Sequence, residues 1–293
     1  PRLGYGTYQL KGEACEAAVL SALDAGYRLI DTASIYKNEE AVGRAVKRWK
    51  AENPTEAGEV QVLSKCSTYE MGFEKARAAC RASLQRLDLE VLDVYIIHWP
   101  AVAKKSHSSS EHRAVRHQTW QALEALRREG LVRAIGVSNF TARHLEQLLE
   151  DGVEVVPMLN QVEAHPFFVP GDTVDFCKQH GIIVQAYSPL GGGPGSNCAR
   201  ATSGEANGTR RLLGHAAVQS EAEELGRTPA QVALRWGLQH GFAVIPFSSN
   251  PVRMAENLAV FDFSLSSSQM AALDALGTED CAQKFCWDPS MIQ

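Results

Sequence analysis

Eight short apolar runs alternate with helical patterns along almost the whole chain, about 30 residues apart. That alternation constrains the fold more than any other feature. Runs such as YRLID, VLDVYIIH and IIVQAY are apolar at most positions, as strands buried on both faces are. The runs fall at 3–6, 27–31, 60–65, 93–97, 132–137, 157–161, 182–187 and 242–246. Helical patterns lie between them at 13–25, 39–51, 71–87, 115–129, 141–150 and 172–179. Two more, at 216–225 and 228–239, precede the last run, and 251–258 and 266–276 follow it. Eight strands with helical crossovers are the count for a closed (β/α)8 TIM barrel of the α/β class. One barrel domain is therefore expected over 1–293, a length normal for that fold.

Local punctuation agrees. Thr228-Pro229 reads as a helix cap followed by proline at the first helical position. Ser266 reads as another N-cap. Gly26, Gly130, Gly152 and Gly181 each stand just past a helical run, where a left-handed residue is wanted. Two segments exceed the regular count: 101–114 after strand four, and the Gly/Ser-rich 188–213 after strand seven. Both follow strand ends, so both are expected on the catalytic face of a barrel, as lids or pocket walls.

Six runs close on polar residues: Asp31, Lys65, His98, Asn139, Gln161 and Tyr187. A core has no use for that set, because each group would need a buried partner. A ligand-facing rim does. Tyr36 lies five residues past Asp31, in the loop after strand two. Neighbouring strands are about 4.8 Å apart, so Asp31, Lys65 and His98 are expected within reach of one another. An ammonium near a phenol favours the phenolate and lowers its pKa. A carboxylate would hold that ammonium, and an imidazole could hydrogen-bond a carbonyl oxygen. The set amounts to a tyrosine able to give a proton to an oxygen as it becomes an alkoxide. Taken singly, each residue also has a structural explanation: a cap or ion pair for Asp31, a half-buried loop ring for Tyr36, a snorkelling chain for Lys65, a core imidazole for His98.

The formal net charge is −5 and no basic run resembles a nucleic-acid footprint. No apolar stretch reaches the roughly 18 residues of a membrane span. Seven cysteines at irregular spacing, without a CxxC, argue against a disulfide framework or a zinc site and fit a reducing, cytoplasmic compartment as ordinary thiols. The chain opens on Pro1 rather than Met, which leaves room for residues upstream.

At the residues already named, the chain resembles the aldo-keto reductase family. GYRLIDTASIYKNEEAVG (26–43) matches a family signature, with Asp31 and Tyr36 at its two catalytic positions. Lys65 in VLSK and His98 in IIHWP match the other two, and IGVSNF, NQVEAHP, YSPL and VIPFSSNPVRMAEN match further segments. The resemblance implies an NAD(P)H-dependent oxidoreductase that reduces aldehydes or ketones, with Asp31, Tyr36, Lys65 and His98 catalytic and no metal. It implies NADP(H), in preference to NAD(H), lying across the barrel top. Ser138, Asn139 and Gln161 would hold the carboxamide and Tyr187 would stack on the nicotinamide. Ser188, Leu190, Ser248, Arg253, Glu256 and Asn257 would take the phosphates and adenine. The substrate would be a small carbonyl compound, such as a sugar or other hydroxylated carbonyl, lined by Tyr8, Trp99 and His98. No nucleic acid, no membrane and a monomer are expected.

The chain departs from the family pattern in places. Phe247 stands where a Lys or Arg is common beside the 2′-phosphate. Tyr8 and Ser67 stand where members with large apolar pockets carry Trp, which suggests a more open, more polar site. Two rivals share the fold: a cofactor-binding regulatory subunit, and a lyase forming a Schiff base on Lys65.

Overall fold

The computed structural model describes residues 1–192, 208–278 and 283–293. Its eight strands are β1 (Tyr5–Gly6), β2 (Leu29–Asp31), β3 (Gln61–Cys66), β4 (Leu92–Ile97), β5 (Val132–Ser138), β6 (Leu159–Glu163), β7 (Ile183–Tyr187) and β8 (Ala243–Val244). Each pairs in parallel with the next, in chain order. The last strand returns to the first: Leu3 bridges Val244, and the amides of Gly4 and Gly6 donate to the carbonyls of Val244 (2.9 Å) and Pro246 (3.1 Å). The sheet is thus a closed barrel with no free edge.

Helices cover it outside. They are α1 (Gly12–Ala25), α2 (Glu39–Glu52), α3 (Phe73–Leu87), α4 (Glu111–Arg128), α5 (Ala142–Glu150), α6 (Gly171–Gln179), α7 (Gly208–Leu213), α8 (Ala216–Leu225), α9 (Pro229–Gln239), α10 (Pro251–Leu258) and α11 (Ser267–Ala275). The caps stand where the sequence places them. Thr228 and Ser266 each accept from the backbone three residues on, and Gln231 and Gln269 return the bond to the cap amide. Gly26, Gly130, Gly152 and Gly181 all have positive φ.

Three differences from the sequence expectation bear on the rim. Helix α4 begins at Glu111, so the loop expected over 101–114 is shorter, and Ala103 N–H ties it to the Thr68 carbonyl (3.0 Å). Helix α7 lies within the second expected loop, of which 193–207 fall outside the described residues. Strand β6 runs on to Glu163, which pairs with Tyr187, so Gln161 stands two residues inside its end. Cys15, Cys66, Cys80 and Cys177 are free and buried. Cys286, expected as an ordinary thiol, is disulfide-bonded.

The strand period explains what reaches the rim. Leu29, Leu63, Val94, Ile96 and Leu159 pack into an apolar cluster separate from the larger core under the helices. Side chains two apart on a strand share a face. Asp31, Lys65, His98 and Gln161 each follow a member of that cluster by two positions. The apolar plug therefore fills the barrel, and the polar groups stand on top of it. Gly136 lets neighbouring strands close over the plug, since a Cβ there would lie 2.7 Å from the Leu159 carbonyl oxygen.

Candidate active site

At the centre of the rim, Lys65 Nζ donates to Asp31 Oδ1 at 2.6 Å and to the Thr32 carbonyl at 2.8 Å. The two side chains are 0% and 3% exposed. A buried ion pair is weak as a stabiliser, because desolvating both charges offsets much of their attraction. Its presence at a strand end is better explained by chemistry than by folding. Gln161 Nε2 donates to the other Asp31 oxygen at 2.7 Å and to Gln185 Oε1 at 2.7 Å. Gln185 went unread in the sequence. The available signal was a lone amide two positions before Tyr187 in an otherwise apolar strand.

Tyr36 ends a 3-10 turn over Ser34–Tyr36. Its ring centroid lies 4.9 Å from Lys65 Nζ, 5.5 Å from the His98 ring and 5.0 Å from the Tyr8 ring. Asn38 fixes this arrangement. Its Nδ2 donates to the carbonyls of Thr7 (2.9 Å) and Leu10 (3.1 Å), and its Oδ1 accepts from Thr32 Oγ1 (2.7 Å). The loop carrying Tyr8 is thereby joined to the loop carrying Tyr36. Nothing in the sequence singled out Asn38.

The electrostatics differ from the sequence expectation in one respect. Lys65 was expected to lower the Tyr36 pKa. Instead, burial and then the Asp31 charge hold the phenol well above its ordinary value. Burial and the Lys65 charge hold His98 well below the usual imidazole range, so it is neutral. Burial lowers Lys65, and Asp31 opposes that shift.

A second group adjoins the first. Ser138 Oγ donates to the Gln161 carbonyl (2.8 Å), and Asn139 Nδ2 donates to the His98 carbonyl (3.0 Å) and to Ser138 Oγ (3.0 Å). The Tyr187 hydroxyl donates to Asn139 Oδ1 (2.8 Å). Asn139 takes a left-handed φ of 63°, which asparagine tolerates better than most residues. Ser188 follows with φ 48°, and Leu190 packs on the core. The segment 247–257 is tied to β1 where the Tyr5 hydroxyl donates to the Ser248 carbonyl (2.6 Å). Asn250 caps α10 through the amides of Val252 and Arg253. There Arg253 and Phe247 are exposed, Glu256 is half-buried, and Asn257 is buried against Tyr27. Across the rim, Trp99 packs edge-on against Trp287, their centroids 6.2 Å apart. Ser67 is buried. Among the described residues no His, Cys, Asp or Glu group could hold a metal ion, and no helix is long and apolar enough to cross a membrane.

A model of the aldo/keto reductase family matches residues 2–278, spanning β1 to α11 and including Asp31, Tyr36, Lys65 and His98. The chain belongs to the aldo/keto reductase family. It is 42% identical over 290 residues to an aldo-keto reductase of Mycolicibacterium vanbaalenii, covering 99% of this chain and 91% of that protein. It is 40% identical over 281 residues to the glyoxal reductase of Bacillus subtilis, covering 96% and 90%. An aldo-keto reductase from a deep-sea metagenome library has the same fold, with TM-score 0.83 and 34% identity over 99% of this chain and 95% of that one. This aldo-keto reductase is accordingly an oxidoreductase, of a family that typically depends on NAD(P)H.

Proposed function

We propose that this aldo-keto reductase reduces aldehydes or ketones to alcohols with NADPH, and that Tyr36 supplies the proton. The observation that carries the reading is the juxtaposition of a protonated Tyr36 with a neutral His98 and an ion-paired Lys65. The reduced nicotinamide, when bound, supplies the hydride. The donor set fits it: Ser138, Asn139 and Gln161 offer donors and acceptors of a carboxamide's kind, and Tyr187 offers a ring face. The α10 N-terminus with Arg253 favours a phosphate. Ser188, Leu190, Ser248, Glu256 and Asn257 complete the cofactor path.

In this reading the substrate carbonyl lies between Tyr36 and His98, with Tyr8 and Trp99 beside it. His98, held neutral, donates to the carbonyl oxygen. As negative charge grows on that oxygen, the Tyr36 hydroxyl transfers its proton to it. The Lys65 ammonium beside the ring stabilises the phenolate left behind, and Asp31 keeps Lys65 charged. The same pairing weakens the Schiff-base alternative, because an ammonium donating to a carboxylate and a carbonyl is a poor nucleophile. The glyoxal reductase among the relatives supports a small carbonyl substrate.

Tyr36→Phe tests the reading. It removes the proton donor but no cofactor contact. Turnover of an aliphatic aldehyde is expected to fall by ~10²–10⁴-fold, while NADPH still quenches protein fluorescence at wild-type concentrations. Near wild-type turnover would refute Tyr36 as the acid.

A further inference from the structure

Glu70 takes no part in the chemistry above, yet it joins two of the stretches of chain that carry it. Its Oε2 accepts from Ser34 Oγ at 2.7 Å and from the Ser67 amide at 2.7 Å. Ser34 opens the 3-10 turn that ends on Tyr36, and Ser67 follows β3, two residues past Lys65. One carboxylate oxygen therefore ties the turn of the proton donor to the strand end that carries the ammonium. The same strand end backs His98, whose amide donates to the Cys66 carbonyl at 3.0 Å.

A clamp positions its partner only if it is itself held. The Glu70 amide donates to the Ser67 carbonyl (3.0 Å), closing a turn, and Met71 is buried in the core. The Gly72 amide donates to Thr119 Oγ1 on α4 (2.8 Å), and the Thr68 carbonyl takes the Ala103 amide (3.0 Å). Residues 67–72 are thus seated on β3, on α4 and on the loop after β4. The Tyr36 ring is held differently. It meets Tyr8, His98 and Lys65 through its faces and edges, contacts that bear on the ring and leave the reach of its hydroxyl to the backbone beneath. That backbone is held on both sides of the ring. Asn38 ties it to the β1 loop, and Ser34, through Glu70, ties it to the end of β3.

We propose that Glu70 is a positioning residue for proton transfer: by holding Ser34 to Ser67 it sets the place of the Tyr36 hydroxyl relative to Lys65 and His98. This rests on the carbonyl-reductase reading with Tyr36 as the acid, and deepens it. The role is one of geometry rather than charge, because both donors meet a single oxygen. A glutamine offers the same oxygen, and an alanine does not. A general acid must lie within hydrogen-bond reach of the oxygen it protonates.

Single-turnover oxidation of bound NADPH by propanal, followed through the decay of NADPH fluorescence, tests the proposal because it isolates the chemical step. Glu70→Ala is expected to slow that step by ~10²-fold, the scale of a misplacement of about 1 Å, with NADPH affinity unchanged. Glu70→Gln should restore the wild-type rate. In a Tyr36→Phe background, Glu70→Ala should cause no further loss, since no donor is left to misplace. A residue that merely supports the fold would slow both backgrounds alike. If Glu70→Ala does not fold, Ser34→Ala, which leaves the Ser67 turn intact, should give the same loss in part, and only where Tyr36 is present. An alanine variant as fast as wild type, a glutamine variant as slow as the alanine one, or losses additive with Tyr36→Phe would overturn the proposal. A Tyr36→Phe enzyme as fast as wild type, or a wild-type protein that oxidises NADPH with no aldehyde, would overturn the reading beneath it and the proposal with it.

Discussion

Lys65 and Asp31 illustrate how residue types can be legible while their energetics are not. Their order along the chain, at the ends of adjacent strands, marks them as a pair. The structure adds that both are buried and that Gln161 takes the second Asp31 oxygen. Removing one partner of a buried pair leaves an uncompensated charge, which costs about 3–5 kcal/mol. Asp31→Asn is therefore expected to lower the urea midpoint substantially, and adding Lys65→Met should recover most of the loss. A single variant as stable as wild type would mean the pair is not desolvated. The shift of Tyr36 was read in the wrong direction from the sequence. A nearby ammonium is visible in the spacing, but burial and the position of Asp31 are not, and they dominate.

Helix α10 carries the next prediction. Asn250 caps it, Pro251 occupies its first turn, and its N-terminus favours negative charge. Arg253 is exposed there, and Phe247, also exposed, contributes no charge. One remaining charged contact to a 2′-phosphate is worth roughly 1.5–3 kcal/mol, so NADPH should bind ~10–100-fold more tightly than NADH. Arg253→Ala should weaken NADPH and scarcely affect NADH, and Phe247→Lys should sharpen the preference. Fluorescence titration with both cofactors measures this, and equal affinities in the unmutated protein would point to NAD use. Elements of this kind were largely readable, because caps such as Thr228 and Ser266 act within three residues of themselves. The extension of β6 to Glu163 was not, since it follows from pairing with β7 rather than from local pattern. Helix α7 was hidden by its Gly/Ser-rich surroundings.

Across the whole molecule, the contacts that hold the last residues have a measurable signature. Buried His144 lies against Ile292, and burial pushes its pKa down to about 4. The unfolded chain would take up that proton near pH ~6.5. Neither state holds it at pH 7. As pH falls from about 6.5 toward 4 the unfolded state gains the proton first, so stability is lost across that window, by up to roughly 3 kcal/mol. His144→Gln should be less stable at pH 7 but lose less between pH 7 and 4.5, as followed by thermal unfolding. Parallel pH profiles would exclude His144 as a source of acid sensitivity. The barrel, the order of its chemistry-bearing residues and the capped helix ends were legible in the chain. Those depend on periodicity, on capping and on which residues close each strand, all of which act over a few neighbours. It took the folded structure to show that Asn38 joins the Tyr8 and Tyr36 loops, that Tyr36 keeps its proton, and that Glu163 binds Lys284, Phe285 and Cys286. Those depend on burial and on groups brought together from distant parts of the chain, which no local pattern encodes.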